Sequence, residues 1–137
     1  MDRAESLRRL AGATNGHLGT VRPDGRPHVV VATFALVGED IVTAIDRKPK
    51  TTQRLQRLVN IEANPAVTFL VDHYEDDWTR LWWVRVDGTA SIHADGPVRD
   101  TAVNALVGKY ERYNQTPPDG PVIVIRTDRL VAWSHTR

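Results

Sequence analysis

The stretch "HLGTVRPDGRPHVVVATFALVGEDIVTAI", residues 17–45, decides the fold, because strand-like runs alternate in it with tight-turn signals. In "RPDG", Pro followed by Asp-Gly favours a tight turn between "HLGTV" and "PHVVVATFAL". "VGED" predicts a second turn into "IVTAI". We therefore predict a three-stranded antiparallel meander, whose β-branched runs indicate burial on both faces in places.

The rest of the chain adds strands and a few helices. Strand-like runs follow in "AVTFLVD", in "RLWWVRVDGTASIHA", which is predicted to bend near Gly88, and in "PVIVIRTDRLVAW". Helical spacing predicts helices over residues 2–11, from near Thr51 to Asn64, and over 95–113. Six or so strands in one small domain close best as a barrel, which removes exposed edges. The predicted class is mainly β with peripheral helices.

Composition limits the classes of function. The 137 residues fit a single domain, 1–137, and 18 Lys+Arg against 17 Asp+Glu give a net charge of only +1. No global basic field exists to attract nucleic acid or an anionic membrane, so we expect neither as a partner. The start "MDRAESLRRLAGAT" lacks a continuous apolar run, and no apolar stretch of the sequence is long enough to span a membrane. A cytoplasmic location is expected.

Metal, thiol and hydrolytic chemistry find no support in the sequence. There is no Cys, which excludes disulfides and thiolate metal sites. The five His residues show no ligand spacing, so we expect no metal site. No Ser/His/Asp arrangement can be argued from spacing, which leaves hydrolysis unsupported.

The segment "AIDRKPKTTQRLQRLVNIEANP", residues 44–65, carries the clearest functional signal. Arg47, Lys48 and Lys50 precede the predicted start of a helix, where the helix dipole is already positive. Cations at that end are unfavourable unless an anion binds among them, and a phosphate is the natural candidate. The alternative from charge alone is a solvated basic loop.

Three blocks in order, "PDGRPHVVVATFAL", "DRKPKTTQRLQRLVNIEANPAVTFLVD" and "WTRLWWVRVDGTA", resemble the flavin- and deazaflavin-binding split β-barrels related to pyridoxamine 5'-phosphate oxidase. More narrowly, the chain is similar to the actinobacterial subgroup of probable coenzyme F420-dependent enzymes. The resemblance runs from about residue 15 to residue 134. It implies a six-stranded antiparallel split barrel that forms a homodimer, with two cofactor sites at the subunit interface.

The resemblance also implies cofactor-binding residues. The family's phosphate site falls on the basic segment and the residues after it, namely Arg47, Lys48, Lys50, Thr51 and Thr52. The backbone around His28, Val29 and Val30 is implied to run along the cofactor ring. Trp83 and Arg85 are implied to lie near the cofactor or the interface, with Trp83 standing where the family usually has a polar amide. Trp82 and Trp83 must point to opposite faces of their strand, and Arg85 has Asp87, Asp76 or Asp77 as alternative partners.

The function that this resemblance implies is hydride transfer between reduced F420 and an unidentified small organic acceptor. No catalytic acid or base is assigned, although His28 and Tyr74 are candidates for a proton donor. The basic residues, including Arg54 and Arg57, would suit the long anionic tail of F420. The alternatives are an FMN-dependent oxidoreductase of the same fold and a non-catalytic protein that binds flavin or haem. Loops such as "HYEDDWTR" and "NQTPPDGP" are expected to border the pocket.

Overall fold

The structure, a computed structural model, describes residues 1–45 and 55–135. Within them one antiparallel sheet contains β1 (Gly16–Val21), β2 (Pro27–Ala32), β3 (Ala35–Val37), β4 (Asp40–Ala44), β5 (Ala66–His73), β6 (Trp82–His93) and β7 (Val122–Ser134). Around it lie α1 (Arg3–Gly12), α2 (Gln56–Ala63), α3 (Gly96–Lys109) and α4 (Glu111–Gln115), with a 3-10 turn at Trp78–Arg80.

The strand order closes the sheet on itself. The order is β2-β1-β5-β6-β7-β4-β3, so β2 and β3 form opposite edges. Only Thr33 and Phe34 separate these two strands along the chain. Such a connection spans at most about 11 Å, so the sheet must curl until its edges approach each other. The result is a curled half-barrel, which confirms the predicted mainly β, split-barrel class.

The predicted three-stranded meander is wrong in one respect, because the run "PHVVVATFAL" is divided into β2 and β3. At the division, the Phe34 N–H donates to the Tyr110 hydroxyl at 3.1 Å, and the Thr43 hydroxyl donates to the Thr33 carbonyl at 2.6 Å. These backbone groups are satisfied by side chains rather than by a strand ladder, so the strand can stop there. This gives seven strands in the described residues instead of six.

The long antiparallel pair of β6 and β7 carries the predicted bend. The pairing register between these strands shifts at Asp87 and Gly88, which is a β-bulge. A Cβ atom on Gly88 would lie 2.4 Å from the Arg126 carbonyl oxygen. Only glycine allows the two backbones to approach this closely, which explains the residue at this position.

The helices differ in part from the prediction. Leu55 has extended backbone angles and caps α2, so α2 begins at Gln56, whereas the predicted start near Thr51 lies outside the described residues. The predicted helix over 95–113 is interrupted at Tyr110, whose extended conformation separates α3 from α4. Pro97 lies in the first turn of α3, as expected.

The core fills the inside of the curled sheet. Its largest fully buried side chains include Phe34 and Phe69, whose rings meet edge to face with centroids 4.8 Å apart. A second apolar cluster lies between α3 and the strands that it covers, with Ala102 and Leu106 against Val42 and Val122. Val42 and Val122 alternate with the inner core residues Ile41 and Ile123, so α3 covers the outer side of the sheet at β4 and the start of β7, and the outer side of β1, β2, β5 and β6 is left open.

Candidate functional site

The outer face of the sheet presents side chains in rows that cross the strands. One row aligns Val31, His17, Leu70, Arg85 and Val131 through β2, β1, β5, β6 and β7. The neighbouring row on one side contains Val29, Gly19, Thr68, Asp87 and Arg129, and the row on the other contains Asp72, Trp83 and Trp133. Val29 and Val31 are each 65% exposed, so this face is apolar and open at its β2 edge.

A cleft of about 400 Å³, here called the aromatic cleft, lies at the β5–β6–β7 end of this face. Its apolar lining consists of Leu70, Tyr74, Leu81, Trp82, Trp83 and Trp133. Arg85 also lines it, with its guanidinium carbon 5.8 Å from the centroid of the Trp83 ring. The structure therefore brings Trp83 and Arg85 together. The Arg85 Nε also lies 3.4 Å from a carboxylate oxygen of Asp87, one of the alternative partners expected from the sequence.

Trp82 and Trp83 point to opposite faces, as strand geometry requires. Trp82 packs against the core cluster, its ring stacks on that of His73 with centroids 6.2 Å apart, and the Arg9 guanidinium lies 5.2 Å from its centroid. Trp83 stands on the outer face, opposite Trp133 in the register of β6 and β7. Trp82 thus packs against the core and also lines the aromatic cleft, whereas Trp83 belongs to the outer face alone.

The loop beside the aromatic cleft is acidic. Residues 72–80 carry the carboxylates Asp72, Glu75, Asp76 and Asp77 and a single guanidinium, Arg80. Glu75 accepts a hydrogen bond from His73 and lies 3.5 Å from the Arg80 Nε. Hydrogen bonds from the Thr79 hydroxyl and N–H lower the pKa of Asp77, which keeps this carboxylate ionised. Of these carboxylates only Asp72 lines the cleft, which Arg85 lines as well, so the excess of negative charge belongs to the adjoining loop.

A second cleft of about 540 Å³, here called the glycine cleft, lies toward the other end of the same sheet. It is lined by His28 and Val29 of β2, by Gly19 and by the β5–β6 residues Thr68 and Gly88. Val30 packs against the core on the inner face, and His28, two residues away, is on the same face, whereas Val29 is on the outer face. The structure does not place His28 or Val29 beside Trp83, because β1 and β5 separate β2 from β6, a lateral distance of about 14 Å.

His28 lies in a positively charged corner, here called the basic corner, formed with Arg22 and Arg57. Burial, and then the charges of Arg22 and Arg57, lower the pKa of His28 below its usual range. Its Nδ1 is shielded from solvent and has no hydrogen-bond partner among the described residues. An anionic group placed at this corner would find the opposite charges of Arg22 and Arg57.

Helix α2 is fixed beside this corner by a buried polar contact. The Asn60 amide donates to the Thr20 hydroxyl at 2.9 Å, and the Gln56 amide donates to the Asn60 side-chain oxygen at 2.7 Å. Since Thr20 faces His28 in the β1–β2 register, the start of α2 is held against the basic corner. The predicted phosphate-site residues immediately before α2 lie outside the described residues; they are Arg47, Lys48, Lys50, Thr51 and Thr52.

Sequence reasoning missed part of the aromatic cleft. Trp133 was not singled out, although "VAW" placed an aromatic residue at the end of a strand. Tyr74 belongs to the loop that was expected to border the pocket, and it does line the aromatic cleft. The other loop predicted to do so, residues 114–121, lines neither of these two clefts.

Residues 1–45 and 55–135 offer neither a metal-binding group nor a helix suited to a membrane. No group of three or more His, Asp or Glu side chains is arranged there to hold a metal ion. In the same ranges, no helix combines the length and apolar composition needed to cross a membrane.

Comparison with known proteins places the fold in a family. A family model described as pyridoxamine 5'-phosphate oxidase matches residues 4–134. A sequence search of curated proteins found no match.

Solved structures of other proteins share this fold. A conserved hypothetical protein from Mycobacterium tuberculosis has a TM-score of 0.81 and 23% identity, and the match covers 98% of this chain and 86% of the other. A haem-binding protein from Mycobacterium smegmatis has a TM-score of 0.73 and 20% identity over 98% of this chain and 59% of the other. A FAD-binding protein from Mesorhizobium loti has a TM-score of 0.73 and 19% identity over 96% and 94%. At these identities the similarity shows the fold alone.

Proposed function

The chain belongs to the pyridoxamine 5'-phosphate oxidase family, and from that premise we propose that it is a cytoplasmic oxidoreductase dependent on coenzyme F420. It transfers a hydride between the reduced cofactor and a small organic acceptor. The single observation that carries this proposal is the basic corner beside α2. The positive charge of this corner suits the anionic end of a flavin-type cofactor.

The residues of the corner fit an anionic group. Arg22 and Arg57 act together on His28, and the His28 Nδ1 is shielded without a partner among the described residues. The chain enters α2 through residues 47–54, which add two Lys and two Arg residues in sequence. F420 carries a phosphate and a chain of carboxylates, so it uses more cations than FMN does. This excess of cations favours F420 over FMN.

The rest of the cofactor would lie along the outer face of the sheet. Strand β2 is an edge strand, so alternate backbone N–H and C=O groups near Val29 have no strand partner within the described sheet. Trp83 and Arg85 are too far from β2 to reach the same ring within one chain. We propose that a second copy of the chain packs on the exposed Val29 and Val31, and that two cofactor sites form where the copies meet.

The chain's own residues would bind and orient the cofactor and would exclude water from it, because the bound deazaflavin would supply the hydride-transferring carbon. His28 is a poor proton donor at pH 7, because its lowered pKa leaves it neutral. Tyr74 lines the aromatic cleft and is 71% exposed, so a proton from solvent reaches the same place. Neither His28 nor Tyr74 is therefore assigned as a catalytic acid or base. Turnover retained by His28→Ala would remove that residue as a donor.

Two other functions are favoured by specific relatives. The Mesorhizobium loti relative is described as FAD-binding, which supports an FMN- or FAD-dependent oxidoreductase as the second candidate. The Mycobacterium smegmatis relative is described as haem-binding, which supports a non-catalytic haem or flavin carrier.

The experiment titrates the purified protein with F420, with FMN and with haem, and it measures binding by calorimetry and absorbance. We expect F420 to bind most tightly. We expect Arg57→Gln and Lys50→Ala each to weaken F420 binding by about tenfold or more, as loss of a charge-assisted hydrogen bond does. The matched control is Arg112→Gln, which removes an exposed guanidinium from α4 and should leave F420 affinity unchanged.

Each outcome selects a function. If FMN binds more tightly than F420, the proposed cofactor site stands and FMN replaces F420 as its ligand. A haem absorbance band with no reductase activity over a panel of acceptors would favour the carrier. Equal losses in Arg112→Gln and Arg57→Gln would show nonspecific charge attraction and overturn the basic corner as the site.

A further inference from the structure

A buried chain of hydrogen bonds, here called the polar relay, joins helix α2 to strand β1. The Gln56 amide donates to the Asn60 side-chain oxygen at 2.7 Å, and the Asn60 amide donates to the Thr20 hydroxyl at 2.9 Å. Asn60 is fully buried, and Thr20 is nearly so. Burying an amide is costly even when its polar atoms are hydrogen-bonded. An apolar side chain at position 60 would fill the same space without that cost, so packing alone does not explain Asn60.

Apolar packing by itself does not fix the placement of α2. Leu58 and Ile61 are the buried apolar residues of this helix, and both belong to the core cluster. Such contacts are non-directional, so they tolerate some sliding or rotation of the helix over the core. Hydrogen bonds have strict requirements of distance and angle. The polar relay therefore selects one placement of α2 against β1, because a displaced helix would leave the buried Asn60 amide without its partners.

The two ends of the polar relay lie beside the basic corner. Thr20 faces His28 in the β1–β2 pairing, and residues paired in this way have Cβ atoms about 4.5 to 5.5 Å apart. Arg57 follows Gln56 in the first turn of α2, and its charge acts on His28. The polar relay thus connects the strand residue opposite His28 to the helix turn that carries Arg57.

Charged groups that belong to the sheet and its turns also lie near His28. Arg22 begins the β1–β2 turn, where its carbonyl accepts a backbone hydrogen bond within the turn. Asp87 and Asp128 line the glycine cleft together with His28, and they are carried by β6 and β7. A displacement of α2 would therefore move Arg57 relative to His28 and leave these three groups in place.

We propose that Asn60 is a positioning residue for the basic corner: it ties α2 to Thr20, holds the Arg57 guanidinium near His28, and thereby sets the affinity of the corner for anions. The inference rests on the proposed function in one respect, since that function makes the anion a group of the cofactor. Asn60 contacts no ligand itself, because it is fully buried. Its effect passes through the placement of Arg57.

The test breaks the polar relay in two variants and retains it in a third. Thr20→Val replaces the hydroxyl by a methyl group of similar volume. Adding Asn60→Leu to Thr20→Val makes both buried partners apolar, which limits the loss of stability. Thr20→Ser keeps a hydroxyl as the acceptor. The matched control is Thr43→Val, which removes a different buried hydroxyl, the donor to the Thr33 carbonyl.

The first readout is the titration of the His28 ring in the cofactor-free protein, measured by NMR. We expect Thr20→Val and the double variant to raise the pKa of His28 toward its ordinary value, because the positive charge of Arg57 moves away. A local effect of the lost hydroxyl has the opposite sign, since a more apolar neighbour favours the neutral ring. Thr20→Ser and Thr43→Val should titrate as the wild type does.

The second readout is the affinity for inorganic pyrophosphate and for F420, measured by calorimetry. We expect Thr20→Val and the double variant to bind both anions about three- to tenfold more weakly, because part of a charge-assisted contact with Arg57 is lost. Thr20→Ser should restore the affinity of the wild type. Thr43→Val should retain that affinity even where its stability is lower.

A His28 titration that is unchanged or moves to lower pH in Thr20→Val would overturn the inference, and so would an equal loss of affinity in Thr43→Val. If the wild type binds pyrophosphate in a relay-dependent way but does not bind F420, the proposed function fails and the inference stands. If F420 binds the wild type and both relay-breaking variants equally well, the inference fails and the proposed function stands. Binding of neither anion by the wild type would remove the basic corner as an anion site and overturn both.

Discussion

Lys109 is the residue whose environment departs furthest from what its chemistry prefers. Its ammonium nitrogen lies 3.8 Å from the centroid of the buried Phe34 ring and 5.3 Å from that of Tyr110. It has no hydrogen-bond partner among the described residues. Burial lowers the pKa of Lys109 to about 8. Attraction to the rings offsets only part of the lost hydration.

Replacing Lys109 by methionine should stabilise the fold. At pH 7 the amine is protonated in both the folded and the unfolded chain, so the folded state bears the cost of burying the charge. We expect Lys109→Met to raise the free energy of unfolding by about 1 kcal/mol, after discounting for solvent screening of a half-exposed group. Urea denaturation at pH 7 measures this difference.

The pH dependence provides the check on this prediction. The pKa of about 8 in the folded protein lies below the ordinary lysine pKa of 10.5, so the unfolded chain binds more protons between these values. The stability contributed by Lys109 in the wild type therefore rises with pH through this window, and the advantage of Lys109→Met shrinks. Measurements are best kept below pH 9.5, because burial raises the pKa of the neighbouring Tyr110. An advantage that stays constant from pH 7 to 9.5 would contradict the explanation.

At the scale of elements, the junction between β2 and β3 is held by the segment that joins α3 and α4. The Tyr110 hydroxyl accepts from the Phe34 N–H, and it lies 3.0 Å from the Phe34 carbonyl and 2.8 Å from the Thr14 carbonyl. The Tyr113 hydroxyl lies 2.8 Å from that of Thr33. Two tyrosine hydroxyls thus provide hydrogen-bond partners for polar groups of Thr33 and Phe34, where the chain passes from one sheet edge to the other.

Removing one hydroxyl from this junction should be costly. Tyr110→Phe leaves the Phe34 N–H and two carbonyls without this partner, so we expect it to lower the free energy of unfolding by about 1 to 3 kcal/mol. Tyr74→Phe, which removes an exposed hydroxyl, should change stability by less than about 0.5 kcal/mol. Thermal denaturation of both variants compares them. Equal melting temperatures would show that the junction does not depend on Tyr110.

At the scale of the whole molecule, the net charge of +1 is the sum over a basic region and an acidic region that lie apart. The basic corner flanks the row of Gly19 and Val29, and the acidic loop begins at Asp72, four residues beyond Thr68 along β5 or roughly 13 Å away. Between them the outer face exposes valines. This arrangement separates a basic corner from an acidic loop on one sheet.

The exposed valines give a test of the proposed dimer. Val31→Lys places a charge on the apolar outer face of β2, and we expect it to weaken self-association by about tenfold or more, because that charge would be desolvated in the interface. Val98→Lys, on α3 and also exposed, should leave the assembly unchanged. Sedimentation velocity over a concentration series measures both. A monomeric wild type, or a Val31→Lys protein that associates as the wild type does, would remove this face as the interface.

The sequence by itself determined the local features whose causes are local. Asp24-Gly25 predicted the first hairpin turn, where Gly25 has a φ of +92°, a conformation that glycine adopts readily. The glycine at position 88 within a long strand predicted the bend, and strand periodicity placed Trp82 and Trp83 on opposite faces. The order of three blocks indicated the family. The site residues that these blocks imply before α2 stay a prediction.

Only the tertiary structure decided what depends on partners distant in the chain. "PHVVVATFAL" has the pattern of one strand, and it divides because Tyr110, 76 residues away from Phe34, satisfies the backbone at the break. Trp133 joins Trp83 in the aromatic cleft because β6 pairs with β7 in that register. Periodicity specifies which face a side chain occupies. It does not specify which strand lies alongside, because pairing is set by packing of the whole chain.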